Sequence, residues 1–399
     1  MGIKYLNQII KKYCNETVET IFLNELFNKI ISIDTSIFLY KYQYNESNYL
    51  ISFLKQILKL LRNGITPFYI FDGKPPKEKN ELLLERKIKK ELSYAKIELL
   101  QIIKNNNEKI KNGEEPDISF KTIKYKNIKE EDVKKVYDKL IKNNVDEYTD
   151  DEIDKEIKKQ NKKIINVRKE HIDDLIELLE CVGIPYLKTN NEAEIVCAQL
   201  NKEKIVDGCF TEDSDYLTNS GNYLLRNFNI NSKNVTLYKL HTLLKELELN
   251  NKQFVDFCIL CGCDYTTKII GIGSIKALSL IKKYKNIEKI INFINNNETK
   301  YIVPDNFNYL KAREIFTTDI YCKSELDDIK KSIKIKKCDI NKCIKFFDDK
   351  KLMISSSLLK ELKNYNKYIT KIIKYKNKKK QQKLTNYFTT TNDIISQEI

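Results

Sequence analysis

Seven acidic residues of this chain share one feature, which is that each stands where a strand pattern ends or beside a helix pattern. They are Asp34, Asp72, Glu192, Glu194, Asp213, Asp215 and Asp264. Because the carboxyl ends of parallel strands form one crevice, acids that follow such strands are expected to converge there. Gathered carboxylates raise one another's pKa values unless divalent cations neutralise them. The spacing therefore predicts a metal-binding crevice.

The donor set indicates which metal would bind. Carboxylates without accompanying His or Cys select Mg²⁺ or Mn²⁺ over zinc. Two such ions about 4 Å apart activate water and stabilise the leaving oxygen in phosphodiester cleavage. Glu192 and Glu194 would point apart inside a helix, but both can face one ion from an unwound first turn. The alternative is that each acid caps a helix or lies on the surface. That explanation is adequate for any one acid, but it is a poor explanation for four clusters that all stand at strand ends or beside helices.

Short apolar runs alternate with longer amphipathic segments in the elements that must position these acids. Between the first two runs, residues 49–64 repeat apolar side chains at intervals of three and four, and Gly64 ends the pattern as a helix C-cap does. Strand, helix and strand in succession predict an α/β fold with a mainly parallel sheet covered by helices. The runs predicted to form buried strands are 29–34, 67–72, 184–187, 204–210 and 222–228.

Composition divides the chain into four regions. An N-terminal α/β region is assigned to 1–100, a partly helical and partly disordered insertion to 101–168, a second core region to 169–350, and a basic disordered tail to 366–399. The insertion is assigned because Asn, Lys and Glu dominate it and large apolar clusters become rare. Residues 81–103 have the pattern of a charged amphipathic helix.

The charge balance indicates the partner. The 399 residues include 71 Lys and Arg against 56 Asp and Glu, which gives a formal net charge of +15. A basic excess favours a polyanion, above all nucleic acid; the alternative is a lysine-rich composition inherited from an AT-rich genome. No stretch approaches 18 consecutive apolar residues and the N-terminus lacks a secretory pattern, so we expect an intracellular protein without a membrane span.

The ten cysteines lack the spacing of a disulfide framework and are predicted to be reduced, mostly buried thiols. Cys258, Cys261 and Cys263 resemble half a zinc site. The chain has only two His and no second Cys-x-x-Cys, so small core residues are the preferred interpretation of this cluster.

Six segments carry a family resemblance when they are taken in order. The chain resembles the flap endonucleases, the structure-specific 5′ nucleases related to XPG, over most of 1–350 apart from the insertion. The resemblance implies a PIN-like nuclease fold, a helical arch in the insertion, a helix–two-turn–helix at about 255–285, two Mg²⁺ ions, and cleavage of branched DNA near a junction of single and double strands. The segments are MGIKYL, ISIDTS, YIFDGKPP, NEAEIVCAQL, TEDSDYLT and FVDFCILCGCDYTTKIIGIG.

The resemblance also implies residue roles. The family's seven acidic metal-ligand positions are all occupied by acids in this chain, and the resemblance also implies that Glu192 contacts DNA. Tyr40 matches a tyrosine that stacks on a base, and Lys79 and Arg86 match a pair that reaches the scissile phosphate. Their spacing of seven places both cations on one helical face, which suits stabilisation of transition-state charge. The alternatives are packing for Tyr40 and a solvated basic face for the two cations. Catalysis is thereby assigned to Lys79, Arg86, Asp34, Asp72, Glu192 and Asp213.

The glycine pair after Asp264 resembles the helix–two-turn–helix. Gly271 and Gly273 would let backbone N–H groups approach a duplex phosphate beside Lys276, and a bound K⁺ is implied there by the resemblance. A plain turn is the alternative. Ser274 stands where the family usually has proline, so weaker duplex contact is expected.

The basic tail contains a partner motif. Gln381, Leu384, Tyr387 and Phe388 fit the pattern Q-x-x-L-x-x-[FY]-[FY], which resembles the box that binds the sliding clamp PCNA. A short helical turn would present one apolar and two aromatic anchors to a pocket of the clamp. The alternative is a chance match.

Two spacings depart from the family. Asp34 and Asp72 are 38 residues apart, which is short, and the missing part follows Tyr40, where the family forms a wedge and a pocket for a 3′ flap. Asp72 and Glu192 are 120 residues apart, which is long, and this stretch should form the arch plus an extra insertion. Its many lysines either track phosphates or form a solvated face.

We therefore expect a monomeric Mg²⁺-dependent endodeoxyribonuclease that removes 5′ flaps, with 5′→3′ exonuclease activity, at sites of DNA replication and repair in a nucleus or viral compartment. The closest alternative is a related nuclease that cuts bubbles or four-way junctions, which the enlarged arch region favours. A non-catalytic, clamp-associated DNA-binding protein and an RNA-processing PIN nuclease are the others. The intact acids argue against the former, and the helix–two-turn–helix and clamp box against the latter.

Overall fold

The structure, a computed structural model, describes residues 2–44, 48–111, 125–143, 149–297 and 300–375. The chain divides into two compact units, of which the smaller is Pro76–Arg168 and the larger comprises the residues on either side of it. In the described part of the chain, no helix has the length and apolar character needed to cross a membrane.

One sheet of seven strands organises the larger unit within the described residues. The strand order is β1-β7-β6-β5-β2-β3-β4, in which β6, β5, β2, β3 and β4 run parallel and β7 pairs antiparallel with both β6 and β1. The predicted mainly parallel sheet is confirmed. The strands are β1 (Val18–Phe22), β2 (Ile30–Asp34), β3 (Thr66–Phe71), β4 (Tyr186–Lys188), β5 (Gly208–Phe210), β6 (Tyr223–Arg226) and β7 (Asn234–Lys239).

Helices connect and cover these strands. The amphipathic run after β2 forms a helix that ends as predicted, because Gly64 adopts a φ of 75° just beyond it. In chain order the helices are α1 (Leu6–Tyr13), α2 (Thr35–Gln43), α3 (Tyr49–Arg62), α4 (Asn80–Lys111), α5 (Glu130–Lys142), α6 (Asp150–Asn161), α7 (Lys169–Val182), α8 (Ala193–Lys202), α9 (Asp215–Thr218), α10 (Leu240–Leu247), α11 (Asn251–Cys261), α12 (Ser274–Tyr284), α13 (Ile287–Asn295), α14 (Tyr309–Thr317), α15 (Lys323–Ser332), α16 (Ile340–Asp349) and α17 (Ser356–Lys363).

The central strands are buried on both faces, which explains their continuous apolar sequences. All six residues of β3 are buried. Phe68 and Ile70 join the main apolar core with α8 and α11, whereas Tyr69 points to the other face and donates a hydrogen bond to Gln56 Oε1 of α3 at 2.9 Å. The ring of Phe53 lies edge-on to Tyr69 at 6.0 Å. Helices therefore hold the sheet from both sides.

One expectation about the strands needs correction, and two strands were not predicted. The run 204–210 is a strand only at Gly208–Phe210, because the residues before it end α8. Lys204 has a φ of 55°, and the amides of Ile205 and Val206 both donate to the carbonyl of Leu200. The antiparallel strands β1 and β7 were not predicted, since their exposed and half-buried residues lack a continuous apolar run.

The cysteines are free thiols, and nine of the ten are buried. Cys258, Cys261 and Cys263 all belong to the main apolar core of the larger unit. Burial raises the pKa of Cys263 to about 12, which keeps this thiol protonated and unreactive. The prediction of small core residues fits this placement.

The smaller unit has a core of its own. Helices α4, α5 and α6 bury a shared apolar cluster that includes Leu99, Val133 and Ile153. Lys96 and Glu156 add an ion pair at 2.7 Å between α4 and α6. Helix α4 runs unbroken through residues 100 and 101, so the change of composition there is not an element boundary. The assignment of 101–168 as an insertion stays a prediction, and its parts at 112–124 and 144–148 lie outside the described residues.

Arg313 links three helices of the larger unit. From α14 it donates to both carboxylate oxygens of Asp256 on α11, at 2.8 and 2.9 Å, and to Glu288 on α13 at 2.7 Å. Asp256 is 3% exposed and also accepts from the amide of Ile287. Burial raises the pKa of Asp256, and the guanidinium opposes that rise. The ion pair thus stabilises the packing of the helices that precede and follow α12.

Replacement of Arg313 by Met should destabilise the protein by about 3 kcal/mol at neutral pH, because it leaves a buried carboxylate without its cation. Since the variant raises the pKa of Asp256 further, the penalty should shrink as the pH falls and the carboxyl becomes neutral. Urea unfolding at several pH values measures both effects. Lys311→Met on the same helix, which removes an exposed ion pair with Glu314, is the control and should cost less than about 1 kcal/mol. Equal costs for the two variants would contradict this account.

Candidate active site

Three of the predicted acids meet at the carboxyl edge of the parallel strands. Asp34 is the last residue of β2, and Asp72 directly follows β3, its parallel neighbour. Asp213 follows β5, which pairs with β2 on the other side. The burial of Asp34, followed by the charges of Asp72 and Asp213, raises the pKa of the Asp34 carboxyl well above its usual range. The fold therefore brings these three charges close enough to oppose one another.

Hydrogen bonds hold the buried carboxylate in place. Asp34 is 3% exposed, and its Oδ2 accepts from the hydroxyl of Thr211 at 2.8 Å. The same hydroxyl oxygen accepts from the amide of Asp213 at 3.1 Å. Thr211 therefore connects two acids, and its donation to Asp34 partly offsets the rise in the pKa of that carboxyl.

The start of α8 brings two further acids to the same edge. Glu192 is the N-cap, with extended backbone, and Glu194 lies in the first turn, as the sequence predicted. Between them, the amide of Ala193 donates to Asp72 Oδ1 at 2.6 Å. This bond attaches the strand-end acid to a helix N-terminus, where the helix dipole stabilises negative charge.

Tyr265 connects the remaining acids. Its hydroxyl donates to Glu192 Oε2 at 2.8 Å. Burial raises the pKa of Tyr265, and the charges of Asp215, Glu192 and Glu194 raise it further, so these three acids lie near the tyrosine. Asp264 precedes this tyrosine in the connection between α11 and α12. The structure therefore brings six of the predicted acids near one another, and Asp264 lies one residue before the tyrosine that contacts Glu192.

The N-terminus closes against the acidic loop. Gly2 has a φ of 78°, and a Cβ placed there would lie 2.1 Å from Asp213 Oδ1 and 2.6 Å from Asp215 Oδ1. The amide of Ile3 donates to Ser214 Oγ at 2.8 Å. Glycine is required here by both backbone conformation and space, because a larger side chain would displace two carboxylates.

The donor set fits a hard divalent cation. All seven side chains offer carboxylate oxygens, and the raised pKa of Asp34 records a repulsion that a cation would relieve. Among the residues that the structure describes, no three or more His, Cys, Asp or Glu side chains are arranged so that they could hold a metal ion as they stand. Six of the acids lie near one another, and the site for two ions stays a prediction.

The other predicted DNA contacts lie on separate elements. Tyr40 is 50% exposed on α2. Gly273 is the N-cap of α12, and a Cβ added to it would meet open space, while Gly271 has a φ of 86°. Lys276 lies in the first turn of α12, beside a groove of about 570 Å³ that Tyr5 and Ile275 line. The backbone at this helix start is therefore accessible to a phosphate.

Lys79 and Arg86 belong to the smaller unit. Lys79 ends a 3₁₀ turn, Lys77–Lys79, that leads into α4, and Arg86 follows on α4. The shared helical face inferred from their spacing therefore begins in a tighter turn than an α-helix. The clamp-box residues Gln381, Leu384, Tyr387 and Phe388 lie outside the described residues.

Two family models match parts of this chain. The model of the XPG N-terminal domain matches residues 1–93, and that of the XPG I-region matches 183–264. Flap endonuclease 1 of Cryptosporidium muris is 31% identical over 98% of this chain and 76% of its own length. Flap endonuclease 1-2 of Paramecium tetraurelia is 30% identical over 99% of this chain and 93% of its own length.

Solved structures share the architecture. The catalytic core of Rad2 in complex with a DNA substrate superposes with a TM-score of 0.59 at 21% identity, covering 87% of this chain and 95% of the other. Flap endonuclease-1 from Methanococcus jannaschii gives a TM-score of 0.55 at 20% identity, covering 89% and 96%. The parallel sheet, the acids at its carboxyl edge and the similarity to these two structures define a PIN-like 5′ nuclease fold. The two flap endonucleases match nearly the whole of this chain at 30% identity or more, so the chain belongs to the flap endonuclease family.

The residues that support the acids were missed by sequence reasoning. Thr211, Ser214 and Tyr265 each stand one residue or a few away from a predicted acid, and Gly2 lies at the chain start. Proximity to the acidic motifs was the available signal. It does not reveal which hydroxyl reaches which carboxylate, because Thr211 and Asp34 are separated by 177 residues in the chain.

We predict that Gly2→Ala will slow cleavage of a flap substrate by about tenfold or more, since a small displacement of reacting groups has effects of this size or larger. The added methyl group would overlap Asp213 Oδ1. The single-turnover rate measures the effect, with Lys11→Ala on the exposed face of α1 as control. A Gly2→Ala enzyme as fast as the wild type would show that the N-terminus does not shape the acidic site.

Proposed function

We propose that this member of the family is a Mg²⁺-dependent endodeoxyribonuclease that cuts 5′ flaps at junctions of single- and double-stranded DNA and leaves a 5′-phosphate. A 5′→3′ exonuclease activity on nicked or gapped duplex accompanies it. The substrate is the branched DNA that arises in replication and repair, and the enzyme acts there as a monomer.

One observation carries this proposal. Asp34, Asp72 and Asp213 come from separate strands and are close enough for two of them to raise the pKa of the third. Such like-charge proximity is costly unless a cation offsets it, and an all-oxygen set suits Mg²⁺, with Mn²⁺ as substitute. A nuclease needs this arrangement, whereas a protein that only binds DNA has no use for it.

The chain's own residues hold and orient the reacting groups. The predicted ligands are Asp34, Asp72, Glu192, Glu194, Asp213, Asp215 and Asp264. Two Mg²⁺ ions, when bound, supply activation of the attacking water and stabilisation of the leaving oxygen. The Thr211 hydroxyl orients Asp34, and the Tyr265 hydroxyl orients Glu192. These bonds leave the carboxylates little freedom to turn away from an ion.

Basic and aromatic groups complete the proposed DNA contacts. Lys79 and Arg86 stabilise charge on the scissile phosphate, and Tyr40 stacks on a base beside it. Gly271, Gly273 and the following turn of α12, with Lys276, contact a phosphate of the duplex, and a K⁺ ion binds at the same turn. Exposure of Tyr40 and the open backbone at Gly273 support these assignments.

The tail supplies a partner. We assign Gln381, Leu384, Tyr387 and Phe388 to a box that binds a PCNA-type sliding clamp, which places the enzyme at replication sites. The support is the residue pattern and its position in a basic tail after the last core elements.

We expect Asp72→Ala to reduce cleavage of a double-flap substrate by about a hundredfold or more while the affinity for DNA in Ca²⁺ stays close to that of the wild type. The change removes a charge from the acidic edge and the acceptor of the Ala193 amide. Asp319→Ala, at an exposed acid paired with Lys202, is the control and should cleave normally. Removal of Mg²⁺ with EDTA should abolish wild-type cleavage.

A panel of flap, bubble and four-way-junction DNA separates the remaining candidates. Preference of the wild type for a bubble or a junction would replace the flap assignment by that of a related nuclease. Absence of metal-dependent cleavage on every branched DNA would leave a non-catalytic DNA-binding protein. Preference for RNA would indicate an RNA-processing enzyme.

Replacement of both Tyr387 and Phe388 by Ala should weaken clamp binding by about 30-fold or more, because aromatic anchors carry most of the affinity of such contacts. Clamp-free cleavage should be unchanged. Calorimetry with the clamp measures the affinity, and Thr385→Ala, at a variable position of the box, is the control. Equal affinities for both variants would remove the clamp from the proposal.

A further inference from the structure

A loop between β6 and β7 connects the acidic edge to α2 and α3. Arg226, at the end of β6, donates to the carbonyl of Glu212 at 2.9 Å, and the amide of Asn227 donates to Glu212 Oε1 at 2.9 Å. Glu212 immediately precedes Asp213. The beginning of the loop, residues 227–233, is thereby attached to the segment that carries acids of the site.

The other side of the loop is held by a buried lysine of α3. Lys59 Nζ donates to the carbonyls of Asn229 at 3.2 Å and Ile230 at 2.6 Å, and also to that of Ser232. Lys59 is 7% exposed, and burial lowers the pKa of its ammonium group. Three carbonyls around one ammonium group replace the water that it loses, so the loop conformation and the lysine depend on each other.

A second lysine attaches the loop to α2. Lys41 Nζ donates to the carbonyl of Phe228 at 2.5 Å. The ring of Phe228 is buried between Phe210 of β5 and Phe38 of α2, with centroids 5.2 and 5.9 Å away. Loop, strand and helix therefore share one packed contact.

Helix α2 is contacted by both the loop and α3. It spans Thr35–Gln43, and Asp34 is its N-cap. One side packs on α3, where the ring centroids of Tyr42 and Phe53 are 5.0 Å apart. The loop 227–233 holds the other contact, through the Phe228 ring and the hydrogen bond from Lys41.

We propose that Lys41 and Lys59 are positioning residues for strand cleavage, because they hold the loop 227–233 as a brace between the acidic loop at Asp213 and the helix that follows Asp34. Neither lysine touches the reacting atoms. Each acts through the backbone of the loop, so the consequence of losing one is a change in the relative position of acids that come from different strands. The effect on cleavage rests on the proposed function.

Lys59→Met tests this role, since it keeps the apolar stem and removes the donor of three hydrogen bonds. The single-turnover cleavage rate of prebound flap DNA should fall by about tenfold, because small misplacements near reacting groups have effects of this order or larger. The affinity for DNA in Ca²⁺ should stay within about twofold of the wild type, since the phosphate contacts are unchanged. Lys41→Met, which removes one hydrogen bond, should show a smaller loss of the same kind.

Lys55→Met is the matched control, because Lys55 lies one turn earlier on α3 and is exposed. Lys59→Arg restores a multiple donor and should recover part of the rate. A prebound complex reports only folded enzyme, so simple loss of stability would leave its cleavage rate unchanged. A wild-type rate in Lys59→Met, or a loss equal to that of Lys55→Met, would overturn the proposal.

Hydrogen exchange tests the brace without reference to cleavage. Lys59→Met and Lys41→Met should speed amide exchange in 35–43 and 227–233, whereas Lys55→Met should not. Unchanged exchange in those two segments would overturn the proposal even if the enzyme were impaired. Failure of the wild type to cut any branched DNA, with the exchange result as expected, would refute the proposed function and leave the brace intact.

Discussion

The structure depends on holding several negative charges together at one edge of a buried sheet. Asp34 bears the cost most directly, because burial and two neighbouring acids all disfavour its charged form. Nothing in the local sequence of β2 requires an acid at its end. The proposed function explains its presence there, because in that proposal the edge binds a hard cation and, through it, a phosphodiester.

The fold offsets this repulsion with fixed donors from distant segments. Thr211 serves Asp34, Tyr265 serves Glu192, and the first amide of α8 serves Asp72. Each donor is itself anchored in a strand end, a helix start or the loop that follows α11. The acids therefore keep their orientation without relying on flexible side chains, which is the preorganisation that phosphoryl chemistry requires.

Features that depend on neighbouring residues in the sequence were predictable, whereas contacts between residues far apart in the chain were not. The strands before Asp34 and Asp72 and the helix at 49–64 follow from local patterns, and all three are present. The strands β1 and β7 were not predicted because antiparallel strands with one solvated face need no continuous apolar run. Residues 204–207 were misassigned because the amides of Ile205 and Val206 bond to the carbonyl of Leu200 at the end of α8 rather than to a strand. The contacts of Lys41 and Lys59 with the loop 227–233 were not predicted, because the sequence does not distinguish a buried lysine from the many exposed ones.

The sequence by itself determined the types of the reacting side chains, their places at strand ends and helix starts, and the family to which they belong, because each of these is written in short motifs. Only the tertiary structure decided which hydroxyl donates to which carboxylate and that the space beside Asp213 admits only a glycine at position 2. It also decided that the carbonyls of one loop surround the ammonium group of Lys59. The physical reason is that such contacts join residues far apart in the chain. Their geometry is set by the packing of the whole sheet and its helices, and no local pattern records it.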